Sequence, residues 1–340
     1  MSGLRRYAIG IIGLVISLLA VYSIVSEIGI ERLVEAFRNA NYIYILPCSF
    51  LILLGLIARG IRWRALLNHD LSISRAFNIM NVAYMVNAIL PMRLGEVARA
   101  YLASQASEQV AMVRALSTIV VERLLDVIAV LIILGFAITS APLPDEVRGI
   151  AAAAAPAVGI GFIMLVVMSA QRKRVLMVLA ALIRSLPFIE RFHLVETAGH
   201  FLDGLSPLTQ PAFFFKVVLW TTIAWGFSLV SGYVLMPGFF GMSDWTATHL
   251  FSAAASFANA LPAMPGSIGT YEYSILISFQ SLGYADAAVI TGFAVMIHAL
   301  NLGINALLGI YGIAQEGISL SQLSERVRAQ AVQSVPDSTL

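Results

Sequence analysis

The stretch NAILPMRLGE, residues 87–96, decides how this chain is read. It lies in an apolar segment, 76–103, that breaks at Pro91, picks up Arg93, turns at Gly95 and reaches Glu96. Proline removes a backbone donor and glycine frees the backbone, so together they end a helix. Each half of the segment is then too short to cross a bilayer, which takes about 20 helical residues. The pattern predicts a re-entrant helical hairpin, going to mid-membrane and back on one side. A second segment, 246–279, carries the same kind of break at Pro262, Pro265 and Gly266.

The rest of the chain supplies the membrane setting. Of its 340 residues 59% are hydrophobic and 12% charged, against about 25% charged in soluble domains. A net charge of +2 gives no reason to expect nucleic acid. The single cysteine, Cys48, excludes an intrachain disulfide and a cysteine metal site. Arg5 and Arg6 precede an apolar run without a small-x-small cleavage site, which reads as a retained first helix. Six spans are expected: Ala8–Ser26, Tyr42–Ala58, Leu116–Ile138, Ile150–Ala170, Phe213–Phe239 and Ala285–Ala314. The expected fold class is therefore an all-α polytopic membrane protein of about six transmembrane helices plus two re-entrant hairpins.

Basic residues orient it. With a cytoplasmic N-terminus, fourteen Arg and Lys fall on inside segments: Arg5, Arg6, Arg59, Arg62, Arg64, Arg75, Arg172, Lys173, Arg174, Arg184, Arg191, Lys216, Arg326 and Arg328. Three, Arg32, Arg38 and Arg148, fall outside. Both termini are expected in the cytoplasm and the protein in the cell inner membrane. The first hairpin would then enter from the cytoplasm and the second from outside. Asn87 to Pro91 resembles Asn259 to Pro262, and Pro91/Gly95 and Pro265/Gly269 share a spacing of four. Weak similarity in opposite orientation is the signature of an inverted repeat. Residues 171–211, with Arg172, Lys173 and Arg174, read as an amphipathic segment on the cytoplasmic surface. Residues 1–314 form the expected transmembrane domain and 315–340 a polar cytoplasmic tail.

Non-helical backbone at membrane depth survives only inside protein or beside water, so each hairpin tip marks a cavity. Half-helices restart near Leu94 and near Ser267, their free N–H groups and positive dipole ends aimed inward, which suits phosphate. Arg93 adds a fork that matches phosphate. Glu96 and Arg99, three apart, can pair on one face. Glu122, Arg123 and Asp126 form a charged trio on the third span. Asp126 lies about 15 Å from Leu116, near the midplane. Such charges must pair internally or line a watery cavity. Ser267 can cap the second half-helix, with Glu272 following. His298, Asn301 and Asn305 make a polar stripe on the last span. Candidate substrate-binding residues are thus Arg93, Glu96, Arg99, Glu122, Arg123, Asp126, Asn259, Ser267, Glu272, His298 and Asn301. The hairpin tips are Pro91, Gly95, Pro262, Pro265, Gly266 and Gly269. No nucleotide-binding, serine-hydrolase, metalloprotease or zinc motif is present, so no cofactor, metal or enzymatic activity is expected.

Pro91-x-Arg93-x-Gly95-Glu96, Glu122-Arg-Leu-Leu-Asp126 and Pro265-Gly-Ser-Ile-Gly-Thr-Tyr-Glu272, in that order, resemble the lysylphosphatidylglycerol synthase transmembrane family, also called flippase-like. The resemblance covers roughly residues 8–314. It implies a membrane domain that moves lipid between leaflets, here as a stand-alone member without the synthase domain. The expected partner is a membrane lipid, an anionic phospholipid or lipid-linked precursor. Two other roles stay open: a non-transporting module that assists a glycosyltransferase or lipid-modifying enzyme, and an enzyme on lipid-linked sugar using Glu122 or Asp126 as base.

Overall fold

The computed structural model describes residues 15, 17–22, 26, 28–90, 94–140, 145–184, 194–260 and 265–317. Arg5, Arg6 and the first half of the expected span Ala8–Ser26 lie outside the described residues. So do Pro91, Arg93, Pro262, Arg191 and the tail from residue 318. Among the described residues the structure is helical, with no strand. The helices are α1 (Ile30–Asn39), α2 (Ile45–Leu66), α3 (Ile73–Ile89), α4 (Leu94–Ala106), α5 (Met112–Ser140) and α6 (Asp145–Ala170). They continue as α7 (Arg172–Arg184), α8 (Leu194–Gly204), α9 (Pro211–Leu235), α10 (Trp245–Ala260), α11 (Thr270–Ser281) and α12 (Ala287–Glu316).

Local chemistry sets these bounds. The Ser72 hydroxyl caps α3 by accepting the Arg75 N–H at 3.2 Å. Pro211 opens α9, where its missing N–H costs nothing. Asp286 caps α12 by accepting from Ala288 and Val289, and Gly317 closes it in the left-handed conformation.

Tyr42–Leu66, Pro211–Phe240 and Ala287–Glu316 are long and apolar enough to cross a membrane. α5 and α6 run for 29 and 26 residues. Leu46, Phe50, Phe136, Ile160, Phe215 and Leu307 are all more than half exposed. A water-facing surface does not carry so many large apolar side chains together, whereas lipid accepts them. This is a multi-pass membrane protein.

α3 and α4 pack against each other, as do α10 and α11. At 17, 13, 16 and 12 residues they are shorter than a span of about 20. The two pairs open at opposite ends of the molecule. At one end Arg75 joins the start of α3 to Glu316 at 3.1 Å and to the Ala106 carbonyl at 3.1 Å. Arg114 meets Asp70 there at 2.7 Å, and Arg172 meets Asp203 at 2.8 Å. At the other end the Asn41 N–H donates to the Gly238 carbonyl at 2.8 Å and the Tyr284 hydroxyl to Asp244 at 3.1 Å. Burial, and then the Asp244 carboxylate, push the Tyr284 phenol up to about 12. The two pairs approach each other near Gly266, where a Cβ would stand 3.6 Å from the Ala88 carbonyl.

Each pair has its own apolar core. α3 and α4 pack with Trp63, Leu66, Ile119 and Leu202. α10 and α11 pack with Cys48, Ile52, Leu235 and an aromatic cluster of Phe251, Phe279 and Phe293. Two glycines set close approaches. A Cβ on Gly95 would lie 2.0 Å from the Ala83 carbonyl and 2.6 Å from Asn87 Oδ1, so only glycine lets α4 fold back on α3. A Cβ on Gly309 would lie 2.4 Å from Met85 Cβ, which brings α12 equally close to α3.

Several expected bounds shift. The second span does not stop at Ala58; α2 continues to Leu66 and carries Arg59 and Arg62 as helix residues rather than loop charges. α5 starts at Met112, a turn before Leu116. The stretch 171–211 contains the two helices α7 and α8. The helix after the second tip starts at Thr270, not at Ser267. Gly269, not Ser267, is its N-cap, and Glu272 accepts the Gly269 N–H at 2.8 Å within the first turn.

Candidate functional site

A cavity of about 570 Å³ lies between the two hairpin tips. α2 and α9 form one wall, α12 another, and the tips the rest. Its charged lining comes from Arg59 on α2, Glu96 on α4 and Arg123 on α5. Its neutral polar lining includes Asn87, Asn259, Asn301, Asn305 and serines on α9 and α10.

Behind this wall sits a buried ion network. Arg62 is fully buried and grips Asp126 with both nitrogens, at 2.6 and 3.3 Å. Its Nη2 also reaches Glu122 at 3.4 Å. Arg99 makes the matching fork on Glu122, with both bonds at 2.9 Å. The Arg99 guanidinium lies 3.9 Å over the Trp63 ring, and the Trp63 N–H donates to Thr118 at 3.2 Å. The Trp225 N–H donates to Asp126 at 3.1 Å. Charges this deep are tolerable only when paired with opposite charges. The network ties α2, α4, α5 and α9 together.

The network loosens toward the cavity. Arg123 Nε and Glu96 Oε1 are 2.9 Å apart, yet neither atom is aligned for a hydrogen bond. Both side chains are partly exposed, at 35% and 26%, where Glu122 is at 0%. Arg59 stands further out. It donates to the Ser228 hydroxyl at 3.3 Å and lies 5.4 Å over the Trp225 ring. Among the described residues no carboxylate is within ion-pair distance of Arg59.

Across the cavity, His298 Nδ1 meets Glu272 Oε1 at 2.6 Å, and Tyr271 stacks on the imidazole at 4.1 Å. Glu272 thus serves both the histidine and the start of α11. On the other tip Asn87 accepts the Gly95 N–H at 2.8 Å, which uses one of the free donors at the start of α4.

Comparison with known proteins gives a match for residues 10–309 to the family described as lysylphosphatidylglycerol synthase TM region. The chain belongs to this family. A stretch of 118 residues is 30% identical to the UPF0104 membrane protein MJ1595 of Methanocaldococcus jannaschii, covering 33% of this chain and 35% of that relative. The match thus spans about a third of the relative's length. No solved structure matches the chain.

In this lysylphosphatidylglycerol synthase TM region the candidate residues fall into two groups. Glu96, Arg123, Asn259, Ser267, His298 and Asn301 line the cavity. Arg99, Glu122 and Asp126 are in the buried network behind it, and Glu272 holds His298. Arg93 lies outside the described residues. Glu96 and Arg99 do not pair with each other as their spacing suggested; each bonds across to α5 instead. Asp126 finds its main partner in Arg62, with Arg123 more distant at 3.7 Å. Sequence reasoning missed Arg59, Arg62 and Trp225 as site residues. A signal for the two arginines was present: Arg59 and Arg62 follow an apolar run at i and i+3, the spacing of one helix face.

Proposed function

We propose that the chain binds an anionic, phosphate-bearing lipid in the cavity between the hairpin tips and moves it between leaflets. The observation that carries this is Arg59, an arginine facing a cavity in an apolar protein with no carboxylate against it among the described residues. A guanidinium so placed favours a phosphodiester, which it can meet with two parallel bonds. The loosely aligned Arg123–Glu96 pair is a second point where phosphate can compete. Six spans, two re-entrant hairpins and cytoplasmic termini in the inner membrane complete the proposal, with residues 1–314 as the transmembrane domain and 315–340 as a cytoplasmic tail. Setting aside Arg59 and Arg62 still leaves most loop arginines and lysines on the inside. The hairpins' opposite openings and their approach near Gly266 support an inverted repeat. The membrane domain itself carries out no chemical step.

Mass spectrometry of lipids kept by the purified protein tests this. Phosphate-bearing anionic lipids should be enriched over the bulk membrane, and the enrichment should fall in Arg59→Gln. A retained lipid profile equal to the bulk would favour a non-transporting module that assists a lipid-modifying enzyme.

A further inference from the structure

The cavity also selects what is attached to the phosphate. Four arginines, Arg59, Arg62, Arg99 and Arg123, face three carboxylates, Glu96, Glu122 and Asp126. The cluster therefore carries one positive charge in excess. Each carboxylate already has an arginine against it, and Glu272 has His298 and the Gly269 N–H. The acids of the described wall are thus matched by cations, and the excess charge of the arginine cluster would repel an ammonium group.

The neutral part of the lining offers acceptors. Ser228 and Ser256 donate their hydroxyls to the carbonyls of Ala224 and Ser252 in their own helices. Each hydroxyl keeps a lone pair, on Ser228 beyond the one that Arg59 uses. Asn301 likewise gives its amide N–H to the Ile297 carbonyl at 2.8 Å, leaving Oδ1. The acceptors on Ser228, Ser256 and Asn301 suit a ligand that supplies donors. Hydroxyls are donors that bring no charge.

We infer that the ligand is a phosphodiester monoanion whose headgroup is uncharged and rich in hydroxyls, such as glycerol, inositol or a sugar, and not an aminoacylated cationic one. This rests on the cavity being the lipid site. The phosphate sits against Arg59, and the hydroxyls donate to the α9, α10 and α12 acceptors. The inference separates this chain's substrate from the aminoacylated lipid in its family's description.

Native mass spectrometry of the full chain in detergent, titrated with short-chain lipids, tests it. Phosphatidylglycerol and phosphatidylinositol should bind at least about tenfold more tightly than lysylphosphatidylglycerol or phosphatidylethanolamine, the difference one charge-assisted bond makes. Arg59→Gln should remove about tenfold from the first two, and Arg59→Lys should restore part of it. Asn301→Asp should narrow the gap to lysylphosphatidylglycerol. Equal or tighter binding of lysylphosphatidylglycerol or phosphatidylethanolamine by the unaltered chain would overturn the inference while leaving a lipid site in place. So would an Asn301→Asp variant, still folded by its melting temperature, whose preference has not moved. Soluble glycerol 3-phosphate binding as well as phosphatidylglycerol would overturn the lipid nature of the ligand. Binding of none of these lipids would overturn both this inference and the lipid site itself.

Discussion

Arg62, near the end of α2, grips Asp126, in the middle of α5, with two bonds of 2.6 and 3.3 Å, and no part of Arg62 reaches the surface. Removing one partner leaves the other charge buried. Asp126→Asn and Arg62→Met should each cost about 3–5 kcal/mol, read as a large drop in melting temperature in detergent. The double variant Arg62→Met with Asp126→Leu should regain part of that loss, because the pair's two charges leave together. A single variant as stable as the native chain would contradict the pairing.

The Glu96–Arg123 pair should behave in the opposite way. It is partly exposed and poorly aligned, so Glu96→Gln should cost under about 1 kcal/mol. It also releases Arg123 into the cavity, so affinity for phosphatidylglycerol should rise several-fold. Lipid titration of the two proteins side by side checks this. Weaker binding in Glu96→Gln would mean that Glu96 itself supports the ligand.

Gly95 should not tolerate a methyl group. The missing Cβ position is 2.0 Å from a backbone carbonyl that cannot move aside alone. Gly95→Ala should force α4 off α3 and lower stability by at least about 1–3 kcal/mol. Gly135, whose Cβ would meet nothing within 4 Å, is the matched control, and Gly135→Ala should be neutral or mildly stabilising. Melting curves of both variants decide it.

Sidedness can be read with single cysteines on a Cys48→Ala background, since Cys48 is fully buried. A cysteine at Met242 should react with an impermeant thiol reagent in intact cells, and one at Gln109 only after lysis. Both positions are exposed, at opposite ends of the molecule. Labelling of both from one side would sink the opposed-hairpin topology.

Much of the architecture was legible from apolar run lengths and from Pro and Gly breaks, because a bilayer punishes misplaced charge and unpaired backbone strongly. The paired motifs at Asn87 and Asn259 pointed to two tips that share one cavity, and both asparagines line it. What stayed hidden was partnership. Arg62 sits at the end of an apolar run, where loop and helix interior look alike in sequence, and its partner is 64 positions away. Local spacing favoured Glu96 with Arg99, but both face α5, and burial there outweighs an i, i+3 contact worth about 0.2–0.5 kcal/mol. The capping role of Glu272 was hidden by Gly266 and Gly269, whose positive φ delays the helix to Thr270.

Lipid must pass through the cavity if the chain moves it between leaflets. The direct measurement follows tail-labelled fluorescent phosphatidylglycerol in liposomes holding the purified chain, with dithionite added outside. Vesicles with the native chain should lose the signal of both leaflets, and protein-free vesicles that of the outer leaflet alone. Ser256→Trp, which fills the cavity wall, should behave like protein-free vesicles while keeping its melting temperature. Native-chain vesicles that retain the inner-leaflet signal as fully as empty ones would contradict translocation through this site.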